Sequence, residues 1–397
     1  MITVDQALRT VLDQIAPLEP EIVPLDQAHQ RILAEDVRAD IDLPPFDRAR
    51  MDGYALRAAD IANAPRTLHL IGEVAAGALF QRRVNPGEAV KIFTGAPVPD
   101  GADAVQKVEV TRANGQTVEI LESVRSGQFI TPRASEVSAG DVVAEAGREI
   151  GAAELAVLAS FGYSSVKVGR RPRIAIMSTG SELVDVNIKP TAAQIRNSNS
   201  YTLAAYAERA GGVVEIFSTV EDTAEATRNA LIEASDNRDI VITSGGVSMG
   251  DYDLVKAALK EIDAEIYFDR VTIRPGKPTV FARRNKTYFF GLPGNPVSTS
   301  VTFNVFVHPA VRRMQGAASP THRIVSAQLL RALKDSSNRR SYLPGRVFIE
   351  EGRAMVESLK WGGSSDLVAF MRANALIVVG EDVHEIAEGE LVEVMLL

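Results

Sequence analysis

Residues 239–261 read DIVITSGGVSMGDYDLVKAALKE. The apolar, β-branched run at its start is too short for a helix and stops at turn residues, the mark of a strand buried on both faces. A glycine-rich loop, SGGVSMGDYD (244–253), follows, and Leu254–Glu261 then takes on a helical pattern. Three further apolar runs repeat the motif: RIAIMS (173–178), VVEIFS (213–218) and TYFFGL (287–292). Helix-like segments at Tyr201–Arg209 and Ala224–Ser235 lie between them. Strands alternating with helices of this length predict a parallel sheet covered on both faces, a three-layer αβα domain.

Outward from this core the texture changes. A helix opens the chain, since Thr3 with Gln6 three residues on forms a capping box. Val4, Ala7, Leu8, Val11, Leu12 and Ile15 then share one helical face. Residues 41–140 are rich in glycine and proline, with short β-type runs such as VKIF, AVQKVEV and TVEIL and turn signals such as RANGQ. They predict a β-rich domain inserted into the first, with the helical stretch Ala152–Phe161 returning the chain to the N-terminal part. Beyond a helix at Val297–Met314, short strands at 323–329, 345–350, 354–359, 375–379 and 391–396 predict a small β-barrel or sandwich. The expected fold is thus multidomain α/β plus β. Its parts are a discontinuous N-terminal domain (1–40 and 141–170), an inserted β-rich domain (41–140), a central αβα domain (171–318) and a C-terminal barrel-like β domain (319–397).

Composition narrows the function. With 397 residues, a net charge of −8 and 46% hydrophobic residues, the chain suits a folded multidomain enzyme and argues against nucleic-acid or anionic-membrane partners. It has no cysteine, which removes disulfides, thiolate metal sites and cysteine nucleophiles. MITVDQALRT is unlike a secretion signal, and no apolar run is long enough to span a bilayer, so the expected setting is cytoplasmic. The five histidines show no ligand spacing and read as structural or surface groups.

Chemistry is expected at the carboxyl ends of the strands, where loops lead into helix N-termini. Four loops qualify: STGSEL, VEDTAE, SGGVSMGDYD and GLPGNPVS. Glycines let backbone N–H groups approach an anion, which makes Ser244, Gly245, Gly246 and Ser248 candidate phosphate donors. Glu182, Asp222, Asp251 and Asp253 fall on the same loops, a set suited to Mg²⁺ held by carboxylates and substrate phosphates. Taken singly, Asp222 and Asp253 also suit helix caps. In RPGKP (274–278), Arg274 and Lys277 stand three apart on a proline-stiffened loop suited to a tetrahedral oxyanion. Arg339, Arg340, Ser364 and Ser365 form a polar set further on that could reach the same cleft.

Seven motifs in order complete the reading: LPPFDRARMDGYA (43–55), FTGAPVPDGAD (93–103), IMSTGSEL (176–183), IRNSNS (195–200), SGGVSMGDYD, RPGKP and GLPGNPVS (291–298). Together they resemble the MoeA family of molybdopterin molybdenumtransferases, with the gephyrin E domain among its relatives, over essentially the whole chain. The resemblance implies a central molybdopterin-binding domain and Mg²⁺-dependent insertion of molybdate into adenylylated molybdopterin, with release of AMP. It implies Asp253, Asp222 and Glu182 as the acidic set, with Mg²⁺ on Asp222 and Asp253. Thr179, Gly180, Ser244, Gly245, Gly246, Ser248, Pro293, Gly294, Asn295 and Pro296 would bind the substrate. Arg274, Lys277, Ser298, one of Arg339 and Arg340, and Ser364 or Ser365 would form the molybdate pocket. Asp52 and Thr94, in the inserted domain, would complete the cleft across a homodimer. Partners implied are the molybdopterin adenylyltransferase and the enzymes that receive the cofactor. A molybdopterin adenylyltransferase and a gephyrin-like scaffold are the alternatives; the added domains disfavour the first, and the retained Asp222, Asp253 and Lys277 the second. Two departures from the family pattern stand out: Arg274 where lysine is usual, which could alter selection between molybdate and tungstate, and Arg48 with Arg50 ahead of MDGY.

Overall fold

A computed structural model describes residues 1–247 and 254–397. The chain divides into two compact units, one of Met1–Glu35, Ala146–Gly151 and Ser165–Leu397, the other of Asp36–Glu145 and Ala152–Ser164.

The first unit is built on a six-stranded sheet. Its strands are β1 (Arg173–Ser178), β2 (Val213–Ile216), β3 (Ile240–Ser244), β4 (Glu265–Phe268), β5 (Val280–Arg284) and β6 (Thr287–Leu292), in the order β2-β1-β3-β6-β5-β4. Side chains alternate across it. Ile174, Ile176, Ile240, Ile242, Phe290 and Leu292 face one layer, with Val4, Ala7, Leu203, Ala207, Val301 and Phe306 of the helices Val4–Gln14, Asn199–Arg209 and Pro296–Met314. Ala175, Met177, Val241 and Phe289 face the other, with Leu231, Ala234, Val255 and Leu259 of Ala224–Ser235 and Leu254–Glu261. Each large aliphatic or aromatic side chain so buried contributes about 1.5–3 kcal/mol. The capping box is present, with the Thr3 and Gln6 side chains each accepting from the other's backbone N–H.

The sheet is not wholly parallel. β2, β1, β3 and β6 are parallel, but β5 runs antiparallel to both β6 and β4. The cause is local: β5 and β6 form a hairpin closed between Arg284 and Thr287, with Asn285 at φ 56°, a conformation asparagine tolerates in tight turns. The long helix from Pro296 to Met314 is also interrupted, by a π-helical turn at Phe303–Val307.

The C-terminal strands close into a five-stranded barrel. They are β7 (Ile324–Leu329), β8 (Arg340–Glu350), β9 (Arg353–Ser358), β10 (Ala375–Val379) and β11 (Leu391–Leu396), and β8 pairs with both β9 and β10. Closure removes free edges, which decides between barrel and sandwich. A two-residue strand, Ile273–Arg274, lies parallel to Arg340–Ser341 of β8. RPGKP therefore starts in a strand paired with the barrel.

The second unit holds a six-stranded sheet of Ala104–Lys107, Gly53–Leu56, Glu88–Ile92, Arg66–Val74, Thr117–Ile120 and Thr111–Asn114. Gly53 is obligatory there, because a Cβ would fall 1.9 Å from the Gln106 carbonyl oxygen. The helix Ala152–Ser160 belongs to this unit, not to the N-terminal segment. Tyr163 behind it donates to the Arg38 carbonyl and accepts from the Arg38 N–H, both at 3.0 Å.

A candidate active site at the strand ends of the central sheet

Chain order reverses between β1 and β3: from β1 the chain goes to β2 on one side, then to β3 on the other. Ligands of open α/β sheets bind at such a switch point, beyond the strand ends. In register, Ser178, Ser244 and Leu292 lie level, so the loops that leave them start side by side. A cavity of about 720 Å³ opens there, lined by Thr179, Gly180, Glu182, Asp222, Ser244, Gly245, Gly246, Pro293, Gly294, Asn295 and Pro296 among others. Ser248, Asp251 and Asp253 lie outside the described residues.

The loops are held by close approach. Gly245 sits at φ 95°, where a Cβ would lie 2.5 Å from the Thr179 carbonyl oxygen, so only glycine fits. Thr179 N–H donates to the Ser244 carbonyl at 3.0 Å. Its own hydroxyl is buried with no hydrogen-bond partner among the described residues, a donor left at the cavity wall. Asn199 ties two loops at once, donating to Ser244 Oγ and to the Gly294 carbonyl, each at 2.7 Å. It stands in IRNSNS, whose Arg196, Asn197 and Ser198 also line the cavity. The motif was visible in the sequence, but its asparagine was not singled out, since nothing local says that it reaches 45 and 95 residues along the chain.

Asp222 is not a helix cap. Thr223 caps Ala224–Ser235, its hydroxyl accepting from Ala226 N–H at 3.2 Å. Asp222 Oδ2 instead accepts from Ser181 N–H at 2.9 Å, which binds its loop to the one carrying Glu182.

A second cavity, about 440 Å³, adjoins the first and shares Gly276, Pro278 and Ser298 with it. Arg274, Lys277 and Arg339 line it, with Trp361 and Ser364, and no acidic side chain among the described residues is on its wall. Among the described residues Lys277 forms no ion pair. Arg340 is directed elsewhere: its guanidinium forks onto Asp5, at 2.9 Å for the Nη2–Oδ2 contact. That hydrogen-bonded pairing holds the Asp5 carboxyl below its ordinary range and raises Arg340. Of the two serines, Ser364 lies on this second cavity and accepts from Asn295 Nδ2 at 2.8 Å, while Ser365 lines the first. The sequence reading left both pairs open.

In the second unit, Asp52 and Thr94 meet. Asp52 Oδ1 accepts from Thr94 N–H at 2.7 Å and from Thr94 Oγ1 at 2.8 Å, and these two donors hold its carboxyl below the usual range. The charge of Arg48 is partnered by Glu136 at 3.0 Å.

An αβα sheet with glycine loops and carboxylates at its switch point, beside a tricationic pocket, has the donor groups that suit an enzyme for anionic ligands. Family models agree along the chain: the MoeA N-terminal region (domain I and II) matches residues 2–162, a probable molybdopterin binding domain 175–313 and the MoeA C-terminal region (domain IV) 326–397. The chain belongs to the MoeA family of molybdopterin molybdenumtransferases. It is 34% identical over 399 residues to the molybdopterin molybdenumtransferase of Staphylococcus aureus (strain MRSA252), covering 100% of this chain and 95% of the relative. It is 36% identical over 400 residues to that of Haemophilus influenzae, covering 99% and 98%. The solved molybdopterin biosynthesis MoeA protein of Pyrococcus horikoshii OT3 superposes with a TM-score of 0.87 at 31% identity, over 100% of both chains. Among the described residues no helix is long and apolar enough to cross a membrane.

Proposed function

We propose that this protein inserts molybdate into adenylylated molybdopterin with release of AMP, assisted by Mg²⁺. The observation that carries the proposal is the common wall of the two cavities at Gly276, Pro278 and Ser298. One cavity has backbone donors and carboxylates suited to a pyrophosphate; the other has three cations suited to a tetrahedral oxyanion. A substrate lying across the wall would hold its phosphates in the first and present its far end to an oxyanion in the second. Catalysis of this kind rests on positioning and charge stabilisation.

The donor set fits Mg²⁺, which is bound through one or two carboxylates together with substrate phosphates. Asp222 and Glu182 share the first cavity, and among the described residues Asp222 commits only Oδ2, which accepts from Ser181 N–H. These two, with Asp253 expected from its motif, would hold the ion. When bound, it would neutralise phosphate charge during cleavage. The protein's own part is to fix the phosphates against the N–H groups after β1 and β3 and to keep Asp222 oriented through Ser181. Arg339 and Ser364 are the members of their pairs assigned to the oxyanion pocket.

The inserted and C-terminal regions separate this reading from an adenylyltransferase, for which the central domain alone would serve. Purified protein given adenylylated molybdopterin, molybdate and Mg²⁺ is expected to release AMP and form active cofactor; a folded protein releasing no AMP refutes the proposal. Asp222→Ala should slow AMP release on the order of 100-fold. A homodimer, with Asp52 and Thr94 acting on the partner's cleft, is part of the proposal, and a strictly monomeric species in light scattering would remove that part.

A further inference from the structure

Asp335 is the buried acid behind the cationic pocket. Its side chain is 1% exposed and ion-paired to Arg274, whose own side chain is 35% exposed. Asp335 Oδ1 accepts from an Arg274 Nη and from Ser337 N–H, the latter at 3.2 Å. Ser337 Oγ in turn accepts from Arg339 N–H at 3.2 Å, and Arg339 Nη1 donates to the Ile273 carbonyl at 3.0 Å. One carboxylate thus holds one pocket cation directly and the turn bearing the second through Ser337, by its N–H and then its hydroxyl. Its backbone is fixed as well, since Asp335 N–H donates to the His384 carbonyl at 2.9 Å. Its other oxygen, Oδ2, is buried without a hydrogen-bond partner among the described residues. Leaving such a group unsatisfied is costly, and a purely structural ion pair could have used both oxygens.

Resting on the oxyanion reading of this pocket, we propose that Asp335 is a positioning residue that fixes the separation of Arg274 and Arg339 and so selects the tetrahedral oxyanion by size. Two consequences follow from the geometry. Arg274, Lys277 and Arg339 with Asp335 leave a net of two positive charges, which complements a dianion such as molybdate. An arginine anchored on one edge is also a rigid wall: its planar fork cannot follow a smaller anion inward as a flexible lysine would. The arginine at 274 and the acid at 335 thus act as one device.

The test is the ratio of two affinities, measured by calorimetry with molybdate alone and with sulfate alone. Both are dianions, so removing the charge of Asp335 shifts both alike, and the ratio isolates geometry. Asp335→Ala is expected to reduce the preference for molybdate over sulfate about tenfold. In an Arg274→Ala background the same change should leave the ratio where Arg274→Ala alone sets it. Asp335→Asn, which keeps the shape and one acceptor, carries the same test if the alanine variant does not fold, with a smaller loss expected. An unchanged ratio in a folded Asp335 variant, or an equal loss without Arg274, overturns the proposal. No oxyanion binding by the unaltered protein overturns it together with the pocket. Binding that stands while AMP release fails overturns the proposed reaction alone.

Discussion

Asn199 joins two loops of the cavity with one amide, and each of its hydrogen bonds contributes about 0.5–1.5 kcal/mol. Asn199→Ala should therefore lower unfolding free energy by about 1–3 kcal/mol in urea titration and should depress turnover by loosening Ser244 and Gly294. A variant with native stability and turnover would show that the loops hold themselves. At this scale the sequence was informative about residue type and blind to pairing. Glu182, Asp222, Ser244 and Lys277 could be named because loops announce themselves by glycine, proline and charge. That Arg340 goes to Asp5, that Asp222 serves Ser181 instead of a helix, and that Asp335 lies behind Arg274 all depend on partners more than forty residues away. No local pattern encodes such partners.

The helix from Pro296 to Met314 shows what an element can conceal. Its π-helical turn brings Asn304 to His322, 2.9 Å from Nε2, and His308 stacks on His322 with ring centroids 3.8 Å apart. Burial, with Arg209 and Arg312 nearby, depresses His308 to about 3 and His322 to about 4. Both are neutral in the folded protein at pH 7. On acidification the unfolded chain takes up protons first, near the ordinary histidine value of about 6.5, so stability falls as pH drops below it and continues to fall until the folded values are reached. Between pH 7 and pH 5 the loss should be about 2 kcal/mol per histidine, seen as a falling urea midpoint. His308→Phe should keep the stack and remove about half of that slope; an unaltered slope would assign the acid sensitivity elsewhere. The histidines were read from sequence as structural or surface groups, and stacking at a π turn could not be anticipated from spacing. The continuous apolar strands, such as RIAIMS and TYFFGL, were legible because burial on two faces leaves a strong mark. β4 and β5 were not, since EIYF and VFARR are short and the turn that joins β5 to β6, ARRNK, looks like ordinary surface.

For the whole molecule, the barrel and the central sheet share a core across residue 318. Tyr342, Leu376 and Met395 of the barrel lie in one core with Ile174 and Phe290 of the central sheet, and Ile273–Arg274 supplies a strand to β8. Residues 319–397 made alone should expose this apolar face and fail to give a cooperative thermal transition by circular dichroism. A cooperatively folding fragment would show the barrel to be self-sufficient. The run of five short strands was enough to foresee a barrel or a sandwich, because such strands need closure or a second sheet. It could not reveal the borrowed strand, which is two residues long.

That strand also bears on motion. Because Ile273–Arg274 is hydrogen-bonded into the barrel, and Arg339 is bonded to Ile273, any rocking of the barrel carries both guanidinium groups with it. In the reaction proposed above, the two-residue ladder would therefore set the reach between the phosphate loops and the oxyanion pocket.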